Sequence, residues 1–165
     1  SMSIKENAQL SVIDRISNKG FLSKKKSKDL MEQMIEKYSI KIGNMDDKIL
    51  TLSGGNQQKV IIAKWIGNDP EILLCDEPTR GIDVGAKVEI YHLMNELKQK
   101  GIAVIFVSSE MPEVMGIADR IIVMCDGRIT GEVMARQTTQ TEILTLATRF
   151  ENKFAEQATE GGAQK

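Results

Sequence analysis

Apolar residues recur at helical spacing through the first third of the chain and then switch to short continuous runs. Ser3 and Glu6 form an S-x-x-E capping box ahead of Ala8, Leu10, Val12, Ile13 and Ile16, which predicts a helix from the start of the chain. Leu30, Met31, Met34, Ile35 and Tyr38 share one face of a second helix, with the methionines filling core. Between them Lys24, Lys25, Lys26 and Lys28 read as a solvated loop or helix entrance. Val60 to Ile66 is a third, apolar helix.

Beyond Pro70 the pattern changes. Ile72-Leu73-Leu74-Cys75 reads as a buried strand running into Asp76-Glu77-Pro78. Val84 to Lys100 reads as a helix closed by Gly101, and Ile102 to Val107 as a second buried strand. A short helix over Met111 to Ala118 precedes a strand over Arg120 to Cys125. Asp126-Gly127 is a hairpin turn that returns the chain as Arg128 to Val133. Thr139 to Arg149 reads as a terminal helix and Glu156 to Lys165 as a frayed tail. Strand, helix, strand, helix, strand predicts a parallel sheet with helical cover.

Composition narrows the class. The 165 residues are 41% hydrophobic and 27% charged, as in globular domains rather than disordered chains. A net charge of −1 and 4% aromatics argue against a nucleic-acid partner. No apolar run reaches the roughly 18 residues that span a bilayer. Cys75 and Cys125 lie in apolar runs without metal-ligand spacing and read as buried free thiols. Ser1 before Met2 has the look of a tag-cleavage scar.

Two constellations carry candidate chemistry. In Leu52-Ser53-Gly54-Gly55-Asn56-Gln57-Gln58, Ser53 is a natural helix cap, and the glycines let backbone N–H groups at the positive helix end approach an anion. In Ile72 to Glu77, two carboxylates close a strand; in phosphoryl-transfer sites such an Asp holds Mg²⁺ and the adjacent Glu polarises water. Each alone is also compatible with an ordinary turn.

Together, in this order, they resemble the ATP-binding-cassette (ABC) ATPases. Leu52 to Gln58 is similar to the signature loop, Ile72 to Glu77 to Walker B, and Pro78 to Asp83 to the D-loop. Leu52-to-Lys59, Asp76-to-Lys87 and Ser108-to-Val114 further resemble the second, carboxyl-terminal cassette of tandem-cassette monosaccharide importers of ribose and galactose type.

The resemblance implies an α/β P-loop NTPase cassette that is truncated, lacking its Walker A portion. A helical signature subdomain would occupy 1–68, a RecA-like parallel-sheet core 69–137, and a terminal helix and tail 138–165. It implies Glu77 as catalytic residue and Asp76 as Mg²⁺ ligand where a Walker A loop is present. Ser53, Gly54, Gly55 and Asn56 would touch nucleotide held by the opposite cassette, with Asp83 communicating across the dimer. ATP and Mg²⁺ are the implied cofactors of the whole protein, with none expected on these residues alone. Implied partners are the first cassette of the same polypeptide, membrane permease subunits and, indirectly, a sugar-binding protein, at the cytoplasmic face of the cell membrane. The competing readings are a non-transport ABC ATPase acting on DNA or ribosomes, and a non-catalytic interaction module.

Two departures bear on mechanism. No G-x-x-x-x-G-K-[ST] occurs; Gly43 to Lys48 comes nearest and lacks the second glycine and the hydroxyl. Ser109 stands where the family places its switch histidine, and His92, the one histidine, falls mid-helix. The resemblance therefore implies a chain inactive by itself, with an exposed sheet edge that invites an artificial homodimer.

Overall fold

Ser3 Oγ accepts from the Glu6 backbone N–H at 3.1 Å and the Glu6 carboxylate accepts from Ser3 N at 2.7 Å, so the chain starts on the foreseen capping box. The computed structural model describes residues 2–18 and 20–149. The predicted tail over Glu156 to Lys165 lies outside them. Two compact units result, Ser1–Val107 and Ser108–Lys165.

In the first unit α1 (Ile4–Gln9) passes through a turn of 3-10 helix into α2 (Ile13–Ile16). Ile4, Ala8, Val12 and Ile16, four residues apart, form its buried stripe. A two-residue hairpin, β1 (Ser17–Asn18) and β2 (Phe21–Leu22), interrupts the helical region that the periodicity foresees. Gly20, at φ 83°, permits the reversal. The lysine run is the entrance to α3 (Lys24–Lys37), with Ser23 as its cap and Met31, Met34 and Tyr38 buried. Gln9 and Ser27 bond reciprocally in the buried seam between α1 and α3, at 2.7 and 2.9 Å.

Next come α4 (Gly54–Ile66), β3 (Ile72–Asp76), α5 (Val84–Gln99) and β4 (Ala103–Val107), a strand–helix–strand crossover that makes β3 and β4 parallel. Ile90, Leu93, Met94 and Leu97 give α5 its buried face. The strands correct the expectation of burial on both faces. Leu73 is buried, but Ile72 and Leu74 are 57% and 75% exposed, and Ile105 and Val107 also face out. Register pairs Leu74 with Ile105, so these side chains share one bare apolar face of a sheet only two strands wide. Beside it Trp65, Asn68, Pro70 and Ile72 to Leu74 line an open hollow of about 270 Å³. Cys75 is likewise half-buried rather than buried, and desolvation pushes its thiol pKa up.

The second unit contains α6 (Met111–Ile117), β5 (Arg120–Cys125), β6 (Arg128–Met134) and α7 (Gln140–Ala147), the last capped by Thr139. Asp126 and Gly127, at φ 50° and 72°, form the tight hairpin turn. Ile121, Val123, Ala135 and Ile143 make its core. β5 pairs antiparallel with β6 across this turn, as the hairpin reading expects, but the two form their own two-stranded sheet rather than supplying the third parallel strand that the strand–helix alternation predicts. No helix among the described residues is long and apolar enough to cross a membrane.

Candidate functional site

Helix α4 begins at the diglycine turn. Ser53 holds the cap position in extended conformation (φ −60°, ψ 154°), yet its side chain makes no capping bond. Ser53 and Gly54 are exposed, whereas Gly55 is buried. A 13-residue helix thus presents its positive end without a side-chain oxygen over its first amides, a fit for an anionic oxygen.

The turn does not stand alone. A Cβ added at Gly54 would lie 3.2 Å from Ile82 Cγ2, and one at Gly55 only 2.5 Å from the Ala86 Cβ. The signature-like turn is therefore packed directly on the loop and first helical turn after β3. Asp83 shapes that neighbour by capping α5, its Oδ1 accepting from Ala86 N at 2.9 Å. Its carboxylate is thus engaged within its own loop.

Asp76 is the exposed last residue of β3, and Glu77 follows it half-buried. Glu77 N donates to Val107 O at 2.9 Å, which ties it to the end of β4. Its φ is 46°, left-handed backbone that a non-glycine residue adopts at a cost of about 1–2 kcal/mol. Pro78 and Thr79 are buried behind it, and Arg80 N closes a turn on Glu77 O at 3.1 Å. The candidate water-polarising carboxylate therefore sits on a tightly held, strained corner. Among the described residues no three or more His, Cys, Asp or Glu side chains cluster as a metal cage. Asp76 suits the pattern in which Mg²⁺ takes one or two carboxylates and completes its shell with phosphate and water.

Ser109 is exposed near the start of the second unit. Its neighbour Ser108 bonds the buried Glu113 through Oγ, which also accepts from Glu110 N. His92 is exposed on α5.

A buried cation that the sequence reading missed braces the site. Lys59, 5% exposed on α4, donates to Ser39 O at 3.0 Å and pairs with Glu89 of α5 at 2.9 Å. The hydrogen bond from Lys59, then its charge, holds the Glu89 pKa below the ordinary carboxylate range. A carboxylate with a lowered folded pKa adds stability above its unfolded pKa and loses it as pH falls through the folded value. Glu89→Gln is accordingly expected to lower the melting temperature at pH 7 by roughly 2–4 °C. That deficit should shrink as pH falls through the lowered folded pKa of Glu89; thermal melts across pH would show an undiminished gap if the brace is unimportant. The one sequence clue was a lysine leading straight into an apolar helical run.

Comparisons with known proteins follow the same outline. A family model described as ABC transporter matches residues 1–80. The ribose import ATP-binding protein RbsA of Oceanobacillus iheyensis is 53% identical over 146 residues, 88% of this chain and 29% of that protein. RbsA of Bacillus subtilis is also 53% identical over 146 residues, covering 88% of this chain and 30% of the relative. The chain thus spans under a third of the length of these relatives. Among solved structures, the dimeric post-hydrolysis state of the ATP-binding cassette MJ0796, bound to ADP and Pi, superposes with a TM-score of 0.68. It is 27% identical, over 83% of this chain and 58% of that one.

Proposed function

Because this chain carries the ABC ATPase cassette fold and is homologous to ABC-type ribose import ATP-binding proteins, we propose that it is the later portion of the ATP-hydrolysing, energy-coupling subunit of a sugar importer. The observation that supports this best is the open N-terminus of α4, with Ser53 and Gly54 exposed and no side chain capping the helix. Its place in the chain, ahead of a strand that ends at Asp76 with Glu77 next, supports the same reading.

In this proposal Ser53 and the amides of the Gly54-Gly55 turn close over the terminal phosphate of ATP held by an opposite cassette, the first one of the same polypeptide. Positive helix-end dipoles aimed at the developing phosphoryl charge are the term such a site supplies. Glu77 serves the chain's own half-site, where its carboxylate orients and polarises the attacking water. Mg²⁺, when bound, neutralises charge on the phosphates, and Asp76 would hold it. Asp83 keeps the loop between the two half-sites in shape, and Ser109 occupies the switch-histidine position without an imidazole to offer. The 1–68, 69–137 and 138–165 partition belongs to this reading as signature, core and terminal parts.

No G-x-x-x-x-G-K-[ST] loop occurs among the 165 residues, so we expect this chain by itself not to turn over ATP. Its working location is the cytoplasmic face of the membrane, bound to permease subunits. The test is association. A full-length ATPase carrying this segment should co-purify with membrane permeases, and a sugar-loaded binding protein should stimulate its ATP turnover. Stimulation by ribosomes or DNA, with no permease retained, would overturn the importer reading.

A further inference from the structure

Ser53 makes no capping bond to α4, and its hydroxyl is instead bonded by another side chain. Asn56 Nδ2 donates to Ser53 Oγ at 3.0 Å, while Asn56 Oδ1 accepts from the Lys41 backbone N–H at 2.9 Å. The Lys41 amide can only donate, so the carboxamide oxygen must face it and the NH₂ end must face Ser53. The orientation of Asn56 is thereby settled by backbone rather than by choice of flip. Lys41 is itself held in place: Ile40 N bonds Ile35 O at 3.0 Å, and the buried Lys59 ammonium grips Ser39 O at 3.0 Å.

A serine hydroxyl has one proton to give and two lone pairs. The bond from Asn56 uses one lone pair and leaves the proton free to donate, and Ser53 is exposed. A serine at this position ordinarily turns inward to accept from the second or third helical amide. Here that third position is Asn56 itself, and its side chain holds the hydroxyl away from its own backbone N–H.

We propose that Asn56 is a positioning residue for Ser53: anchored on the Lys41 N–H, its carboxamide keeps the serine out of the capping role and turns its O–H into a donor toward a phosphoryl oxygen. The donor half of this statement rests on the function proposed above; the anti-capping half does not. In this proposal Asn56 acts through Ser53, in place of the direct contact with nucleotide that the family resemblance implies.

Two measurements separate these halves. Amide hydrogen exchange on the full 165-residue chain tests the first. In Asn56→Ala the freed serine swings in to cap, so exchange of the residue-56 amide should slow about tenfold. In the Ser53→Ala, Asn56→Ala double variant that slowing should disappear. Unchanged exchange in Asn56→Ala overturns the positioning role. Asn56→Asp is the companion variant, retaining the bond to Lys41 but offering Ser53 no donor.

ATP turnover by the full-length, permease-bound ATPase tests the second half. Asn56→Ala should lower kcat about tenfold with KM little changed, and should lower it no further once Ser53 is already alanine. Independent, multiplicative losses would mean that Asn56 acts directly on nucleotide and would overturn the proposal. If Ser53→Ala leaves turnover intact while the exchange result holds, the phosphate-facing reading of the turn fails and the positioning of the hydroxyl stands.

Discussion

Glu77→Gly should melt at a higher temperature than Glu77→Ala, and both should lose ATP turnover in the assembled ATPase by about 10²–10⁴-fold. Both variants lack the carboxylate, so they differ only at the backbone. At φ 46° alanine keeps the left-handed strain that glycine escapes. The penalty of about 1–2 kcal/mol is partly offset by the roughly 0.5–1 kcal/mol of extra chain entropy that glycine loses on folding. A net gain of up to about 1.5 kcal/mol corresponds to roughly 3–6 °C for a chain of this size. Glu77→Gln retains both side-chain volume and strain and should show the turnover loss alone. Equal melting of the glycine and alanine variants would refute stored strain; turnover surviving in Glu77→Gln would remove Glu77 from the chemistry.

Gly55→Ala should destabilise the chain by about 1–3 kcal/mol, and Gly55→Val by more. The new Cβ would stand 2.5 Å from the Ala86 Cβ, and neither atom belongs to a flexible side-chain end that could swing aside. Backbone must move, separating the diglycine turn from the α5 N-terminus. Pairing Gly55→Ala with Ala86→Gly removes the clash and should recover most of the lost stability, less about 1 kcal/mol for glycine within a helix. Melts of the single and double variants form a cycle whose coupling measures the contact. Additive losses would show that the second glycine is required by something other than Ala86.

How far the molecule was legible beforehand divides along local and tertiary lines. Ser3 with Glu6, Gly101 after α5, and Asp126-Gly127 are decided by residues three or fewer apart, and each does in three dimensions what its neighbours imply. The order of diglycine turn, strand and paired carboxylates could likewise be read directly. The packing of Gly55 on Ala86 could not, because the residues lie 31 apart and a glycine needed for packing is spelled like one needed for a turn. Nor could the Lys41–Asn56–Ser53 relay, which depends on a backbone N–H that has no residue signature. The apolar runs over β3 and β4 identified strands correctly but implied cover on both faces. Hydrophobicity records that a side chain favours burial, not whether the described chain brings a partner to it.

The serine and glycine of the turn also illustrate why a motif is weaker than its geometry. A serine before a helix is ordinarily a cap, and capping would have taken up one of the amides that an anion can use. Here its hydroxyl is bonded by Asn56 and the helix end is left without a side-chain cap.

The lone indole beside the bare sheet face has a practical meaning of its own. Trp65 is 51% exposed, with the Lys64 ammonium 4.9 Å from its ring centre and Ile72 and Leu74 along the same hollow. With no second tryptophan in the sequence, indole emission, excited apart from the two tyrosines, comes from that single corner of the protein. Its colour reports how wet the corner is, so any molecule that settles over β3 announces itself as a blue shift, without a label attached.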